Sequence, residues 1–430
     1  TYGFNLTSST VHLIGCLVTG NSANRAGGIR ISGGMATLQG TTIRNYNLIA
    51  GLARRHTVDL ATFVPPDSPP DAIELLRPTC REILALPQPA RTIAQRGRDT
   101  LISALPDMAL RLALPRMADE LHALVHRASP AYDVIQVEGI EMAPYMLALK
   151  ARPRQPETAR FIFDDHNAEY VLQQRSFLTD VRRPRRWIAA AYSFVQWRKL
   201  VAYERRVCRQ ADRIVAVSEV DRAALLRLDD RLDITVAPNG VDLAFYRPDA
   251  VAALPGMGPG ALVFTGKMDY RPNVDAVTWF ADAVFPLIRE AAGEVTFYIV
   301  GQQPHGRVAA LGERPGIVVT GRVPDTRPYI AGAAVYVVPL RIGGGTRLKV
   351  LEAMAMGQAI VSTRLGCDGF PFTDNVEVAY ADEPAEFAGR VLALMRDSSH
   401  AEALGRAARA FVEAHYGWDA IVPVVEALYP

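Results

Sequence analysis

The stretch from Arg341 to Gly357, RIGGGTRLKVLEAMAMG, sets three consecutive glycines, Gly343, Gly344 and Gly345, ahead of a helix-forming run. A glycine loop lets the backbone approach a ligand closely. Thr346 is placed to cap the helix, whose first free N–H groups then point outward as an anion site. Glu352 stands six residues past that cap, too far along to complement the helix dipole, and its carboxylate suits two hydrogen bonds from a vicinal diol. Phosphate in front and ribose alongside make a nucleotide. A tight strand-to-helix turn with Glu352 facing water uses the same residues and remains the alternative.

Two further glycine turns supply companions. Thr265-Gly266-Lys267-Met268-Asp269-Tyr270-Arg271 brings Lys267 and Arg271 to a strand end, either as two cations on the same phosphates or as solvated surface charges. Thr320-Gly321-Arg322-Val323-Pro324 leaves extended backbone at Arg322 and Val323 that suits the edge of a base.

These turns need strands to carry them. Apolar, β-branched runs at Ala261–Thr265, Val295–Val300, Ile317–Thr320, Ala334–Pro339 and Ala359–Ser362 alternate with helices starting near Asn273, His305, Asp325, Thr346 and Pro384. That rhythm predicts a parallel sheet covered on both faces, with ligands at the carboxyl ends of its strands. A second α/β rhythm precedes it: a helical Tyr46–Arg55, then strands at Thr57–Val64, Asp133–Val137, Phe161–Asp164, Arg213–Val217 and Ile234–Ala237. The Pro- and Gly-rich stretch Arg247–Gly260 reads as an interdomain linker.

Residues 1–43 have another texture. Short apolar runs such as Val11–Ile14 and Gly28–Ile31 are punctuated by Asn, Ser and Gly, and an offset of 25 residues aligns Leu13, Gly15 and Val18 with Leu38, Gly40 and Ile43. This resembles coils of a right-handed parallel β-helix, although fewer than two coils are present; a disordered leader is the alternative. The chain opens on Thr1 and is expected to be a fragment.

Composition narrows the class. The 430 residues are 49% hydrophobic with a net charge of +2, which suits two or three globular domains and does not call for nucleic acid. Cys16, Cys80, Cys208 and Cys367 are scattered without metal-ligand spacing, fitting a reducing cytoplasm. No apolar run approaches the ~18 residues of a membrane span. Between Arg175 and Arg213, however, eleven Lys/Arg face three Asp/Glu and interleave with Trp187, Tyr192, Phe194 and Trp197. Such a segment lies on anionic lipid or turns its aromatics to the core.

Taken together, GKMDYRPN, VTGRV, PLRIGGGTRLKVLEAMAMG and AIVST, with FDDHNAEY, VAVSEVDRAAL and APNGVDLAFYRP before the linker, resemble the family 4 glycosyltransferases. The resemblance implies an α/β GT-B fold, two Rossmann-like domains facing across a cleft, here preceded by the β-helix-like segment. It divides the chain into 1–43, an N-terminal acceptor-side domain at 44–248, a donor domain at 249–415, and a C-terminal helix at 416–430 crossing back to the first domain.

The implied activity is retaining transfer from a nucleotide-diphosphate sugar to a glycan or polyprenyl/lipid-linked acceptor in cell-envelope or exopolysaccharide assembly. No metal or other cofactor is implied, and the place is the cytoplasm or the inner membrane face, with peripheral contact through 175–213. In the family's pattern Glu352 binds the ribose, Lys267 and Arg271 neutralise the diphosphate, and His166 reaches a donor-sugar hydroxyl or a backbone carbonyl. Read without the family, Asp165 or Asn167 caps a helix and His166 packs. The donor contacts then comprise Gly40, Gly266, Arg322, Val323, Gly343, Gly344, Gly345, Thr346, Arg347, Leu348 and Glu352.

Two positions depart from the family's pattern: Gly344 stands where many members keep a second glutamate, and Pro272 where a lysine is usual, Arg271 substituting one residue earlier. Gly40 begins the first domain's glycine turn, yet the strand expected before it is replaced, so a join at Gly40–Ile43 and a vacant or Met35–Gln39-filled sheet position are expected. Competing readings are a non-catalytic nucleotide-binding transferase or β-helix fusion and, less closely matched, a GT-B epimerase or phosphorylase.

Overall fold

The computed structural model describes residues 10–14, 40–66, 73–128, 131–151, 159–182, 184–343 and 347–430. The chain divides into two compact units, one of residues up to Pro238 together with Ile421–Pro430, the other Asn239–Ala420.

The first unit holds seven parallel strands: β1 (Thr10–Ile14), β2 (Thr57–Val64), β3 (Glu82–Pro87), β4 (Val134–Glu138), β5 (Arg160–Asp165), β6 (Arg213–Ala216) and β7 (Ile234–Val236). They are ordered β3-β2-β1-β4-β5-β6-β7. β4, VIQVE, is buried along its whole length between two covering layers, and its Gln136 and Glu138 side chains are buried with hydrogen-bond partners. The second unit holds six more, β8 (Ala261–Thr265), β9 (Thr296–Val300), β10 (Ile317–Gly321), β11 (Val335–Val338), β12 (Ile360–Ser362) and β13 (Ala379–Tyr380). Their order is β10-β9-β8-β11-β12-β13, again all parallel. Its core gathers Phe264, Phe280, Phe297 and Phe387, each fully buried and each contributing roughly 1.5–3 kcal/mol of burial.

Several expectations change. The first sheet has a strand in the position expected to be vacant: β1 lies between β2 and β4, pairing Val11 with both Val58 and Val134. TVHLI is apolar and β-branched enough for that central place, whereas Met35–Gln39 falls outside the described residues. The β-helix reading of 1–43 also lies outside them, apart from β1 and Gly40–Ile43. Gly40 is not a turn residue; it starts the helix Gly40–Leu52.

The boundary between the units follows Pro238, ahead of the Arg247–Gly260 stretch. The reason is packing: within the second unit Arg327 stacks 3.6 Å from the Phe245 ring centroid and Arg409 donates to the Tyr246 carbonyl. The last residues join the first unit, where His56 and Arg55 meet Glu426 and Tyr429 donates to Gln136. Among the described residues, no helix is long and apolar enough to cross a membrane.

One buried ion pair organises the first unit. Arg44, on the first helix, is 1% exposed; it donates to Asp164 at the end of β5 at 2.7 and 3.1 Å and to the Ala237 and Pro238 carbonyls at 2.9 Å. Burial pushes the Asp164 carboxyl above its usual range while Arg44 pulls it down. Arg44→Met should therefore destabilise the unit by about 3–5 kcal/mol at pH 8. Without Arg44 the folded state holds the Asp164 proton more tightly than the unfolded chain, so the loss shrinks as pH falls. Urea unfolding followed by circular dichroism at pH 5 and pH 8 measures both effects.

Candidate functional site

In the second unit the parallel sheet brings the expected turns to one edge. β8 ends at Thr265, and at the following Gly266 a Cβ would lie 2.7 Å from Lys349 Nζ and 2.8 Å from Asn273 Nδ2, so a side chain there would displace one of them. Lys267 follows, partly exposed and 3.3 Å from Asp269, and Arg271 opens the helix Arg271–Trp279 at the surface. Asn273 donates to the Lys267 carbonyl at 2.8 Å and accepts from Lys349 Nζ at 2.8 Å. The turn is thereby tied to the helix Leu348–Ala355.

The glycine loop after β11 meets the same place. Gly343 has φ +112°, and a Cβ there would sit 3.0 Å from the Pro272 ring, so Pro272 packs directly against the loop. Arg341 bridges Asp275 at 3.1 Å and lies 5.1 Å from the Trp279 ring centroid, a second tie between the loop and that helix. Gly344, Gly345 and Thr346 lie outside the described residues. The helix begins at Leu348 with Arg347 in the cap position, one residue later than the Thr346 expected, and it carries no side-chain cap. Arg347 is buried, and that burial lowers its pKa.

Glu352 lies in the same helix, half-buried. Its pKa is raised by burial against the opposing pull of a hydrogen bond from Tyr246 and the charge of Lys349. Lys349 sits 4.0 Å from the Phe264 ring centroid, and burial lowers its pKa to about 7 although Glu352 pulls it up. Sequence reading passed over Lys349, Asn273 and Tyr246 because nothing local distinguishes them from ordinary helix and linker residues. Arg322 is exposed after β10, and Val323 packs partly against the core; both stand at the far side of β9 from β8.

In the first unit His166 follows β5. Its Nε2 lies 2.8 Å from Glu138 Oε2, at the end of β4, and Gln136 donates to the other Glu138 oxygen at 2.5 Å. Glu138, Asp164 and His166 offer ligand atoms within 4.8 Å of one another. Arg44 already occupies Asp164, so the cluster neutralises itself with protein cations. Burial alone would lower the His166 pKa, yet the Glu138 hydrogen bond and the Asp164 and Glu138 charges raise it above its usual value.

Neither Asp165 nor Asn167 caps the helix Glu169–Asp180, contrary to the second reading of that motif. Glu204 accepts from the Glu169 and Tyr170 N–H groups at 2.9 and 3.0 Å, and Asp221 accepts from Ala168 at 3.1 Å. These carboxylates crowd Asp165: burial and Glu204 push its pKa well up, and burial lifts Glu204 to about 7 and Glu169 to about 8.

The family model described as Glycosyltransferase Family 4 matches residues 38–245, and the one described as Glycosyl transferases group 1 matches 259–397, between them most of the chain. Among curated relatives, the "Uncharacterized 44.6 kDa protein in cps region" of Klebsiella pneumoniae is 20% identical over 36% of this chain and 42% of its own length. Other curated relatives are likewise matched over 54% and 61% of theirs, so the chain spans about half the length of the curated relatives it matches.

Sucrose-phosphate synthase from Thermosynechococcus elongatus superposes with a TM-score of 0.68 at 20% identity, covering 98% of each chain. Anabaena Alr3699/HepE, solved in complex with UDP and glucose, gives 0.61 at 14% identity, covering 98% of this chain and 99% of its own. These likenesses show a shared fold, the α/β GT-B class.

The His166–Glu138 contact generates a titration test. Because the folded pKa is raised, the pair's stabilisation is fully present below the unfolded histidine value near 6.5 and is lost as pH rises through the folded value. Glu138→Gln should lower the His166 pKa, since the hydrogen bond and the Glu138 charge are lost while burial, Arg44 and the Asp164 charge remain. Proton NMR of the imidazole ring follows the shift, and an unchanged titration would contradict the assigned cause.

Proposed function

The chain belongs to the group 1 and family 4 glycosyltransferases, and from that membership we propose that it moves a sugar from a nucleotide-diphosphate donor to a glycan or lipid-linked acceptor. The observation that carries the reading is the convergence of Lys267, Arg271, Gly343 and Glu352 on one strand-end edge, with Pro272 packed on Gly343 and Lys349 bonded to Asn273. A leaving diphosphate gathers negative charge, and cations with preorganised N–H dipoles stabilise it where it forms. Glu352 accepts the ribose hydroxyls, and the backbone at Arg322 and Val323 takes the base. In the first unit, His166 is held on Glu138.

We read transfer as retaining and as needing no metal, because the leaving-group charge is met by side-chain cations. The bound UDP of Anabaena HepE and the cps-region relative from Klebsiella accord with a nucleotide-sugar donor and a role in envelope polysaccharide assembly. Calorimetry with UDP and GDP tests the reading. One of them should bind in the presence of EDTA, and Glu352→Ala should weaken binding by roughly 1–3 kcal/mol. Binding of neither would defeat the enzyme reading, and an unchanged affinity in the variant would reject the role of Glu352.

The acceptor side has a surface of its own. Leu178, Val181, Trp187 and Ile188 are exposed, Ile188 at 91%, beside exposed Arg175, Arg182, Arg185 and Arg186. The helix Ile93–Ile102, docked through Thr100 to Gln196 and Lys199, adds exposed Ile93, Leu101 and Ile102. We propose that this basic, apolar face rests on anionic membrane at the inner surface of the cell. Sedimentation with phosphatidylglycerol-containing vesicles should recover the chain, and neutral vesicles should not. Trp187→Ser with Ile188→Ser should reduce recovery severalfold, and equal recovery would exclude the contact.

A further inference from the structure

Lys349 is the cation of the second unit that neither the family's pattern nor the glycine loop explains. Its Nζ sits against Gly266, at the end of β8, and donates to Asn273, which itself donates to the Lys267 carbonyl. One side chain thus links the helix that carries Glu352 to the turn that carries Lys267. The charged groups acting on it are Glu352, one turn along the same helix, and Arg347, two residues before it. β8 faces it with Gly266 and the Phe264 ring, and the helix Arg271–Trp279 faces it with the Asn273 amide, none of which titrates.

We propose that Lys349 is an additional cation of the diphosphate site, one that braces the Gly266–Lys267 turn through Asn273 and acquires a proton when the diphosphate binds. The inference rests on the reading of this edge as a nucleotide-diphosphate site. An ammonium with one amide acceptor, laid on an aromatic face and facing Arg347, is held weakly in the charged form, and burial brings its pKa to about 7. An incoming diphosphate supplies the negative charge that the empty site lacks. The step balances as uptake of one proton from solvent by the neutral amine, with no other bond made or broken. Glu352 alone does not hold that proton, because its own carboxyl is pushed toward the neutral form by burial and shared with Tyr246.

Calorimetry at pH 8 with UDP, GDP and the corresponding nucleosides, in buffers of different ionisation enthalpy, reads the proton directly. The parent chain should take up about one proton per diphosphate bound and almost none with the nucleosides, as a group titrating near 7 requires. Lys349→Met should abolish the uptake and weaken the diphosphate about tenfold, leaving nucleoside affinity unchanged. Lys349→Arg, permanently charged, should restore affinity without restoring uptake, and it supplies the answer should the methionine variant fail to fold. Diphosphate binding within twofold of the parent in the methionine variant, or uptake that persists in either variant, would overturn the role of Lys349 while leaving the nucleotide reading intact. Failure of the parent chain to bind UDP or GDP would overturn both.

Discussion

In the second unit β8 runs between β9 and β11 in the same direction as both, and its last residue, Thr265, hands the chain to Gly266 at the edge where β11 hands it to the glycine loop. Parallel pairing requires this: every strand must be re-entered from the opposite end through a helix, so all carboxyl ends share one edge. The remaining features of the site follow from it. Pro272 can touch Gly343, and Lys349 can reach Asn273, only because segments some 70 residues apart in the chain leave adjacent strands at the same height.

The two units handle charge differently. The first buries its ions and neutralises them internally, Arg44 on Asp164 and His166 on Glu138, with the backbone at the start of one helix held by Glu204 and Asp221. A charge removed from water must find such partners or give up its ionisation, and burial with Glu204 alongside pushes Asp165 toward the latter. The second unit leaves Lys267 partly exposed and Arg271 exposed at its strand-end edge. The partly buried Lys349 is instead pushed toward the neutral form by desolvation.

The apolar strands were legible because burial on both faces favours short apolar, β-branched runs bounded by turn residues. β2, β4 to β7 and β8 to β12 lie where their apolar runs predict. β3, Glu82–Pro87, is a partly buried edge strand, EILALP, whose single β-branched residue and closing proline give no strand-like pattern, and β13 has just two residues. β1 was visible as a strand in Val11–Ile14 but was assigned to a different fold, since sheet membership is a long-range property that five residues do not carry.

The same division holds at the site. Residue order alone determined the glycine turns, the cations following Gly266, the glutamate in the helix after the loop and the family to which they point, because spacing along a strand-turn-helix unit is a local matter. Tertiary structure decided which of these groups meet and which charges are at rest. Nothing in the local sequence marks Arg44, Glu138 or Lys349. Each acquires its meaning from a partner that only the folded sheet brings within hydrogen-bonding distance, and from the loss of water that folding imposes there.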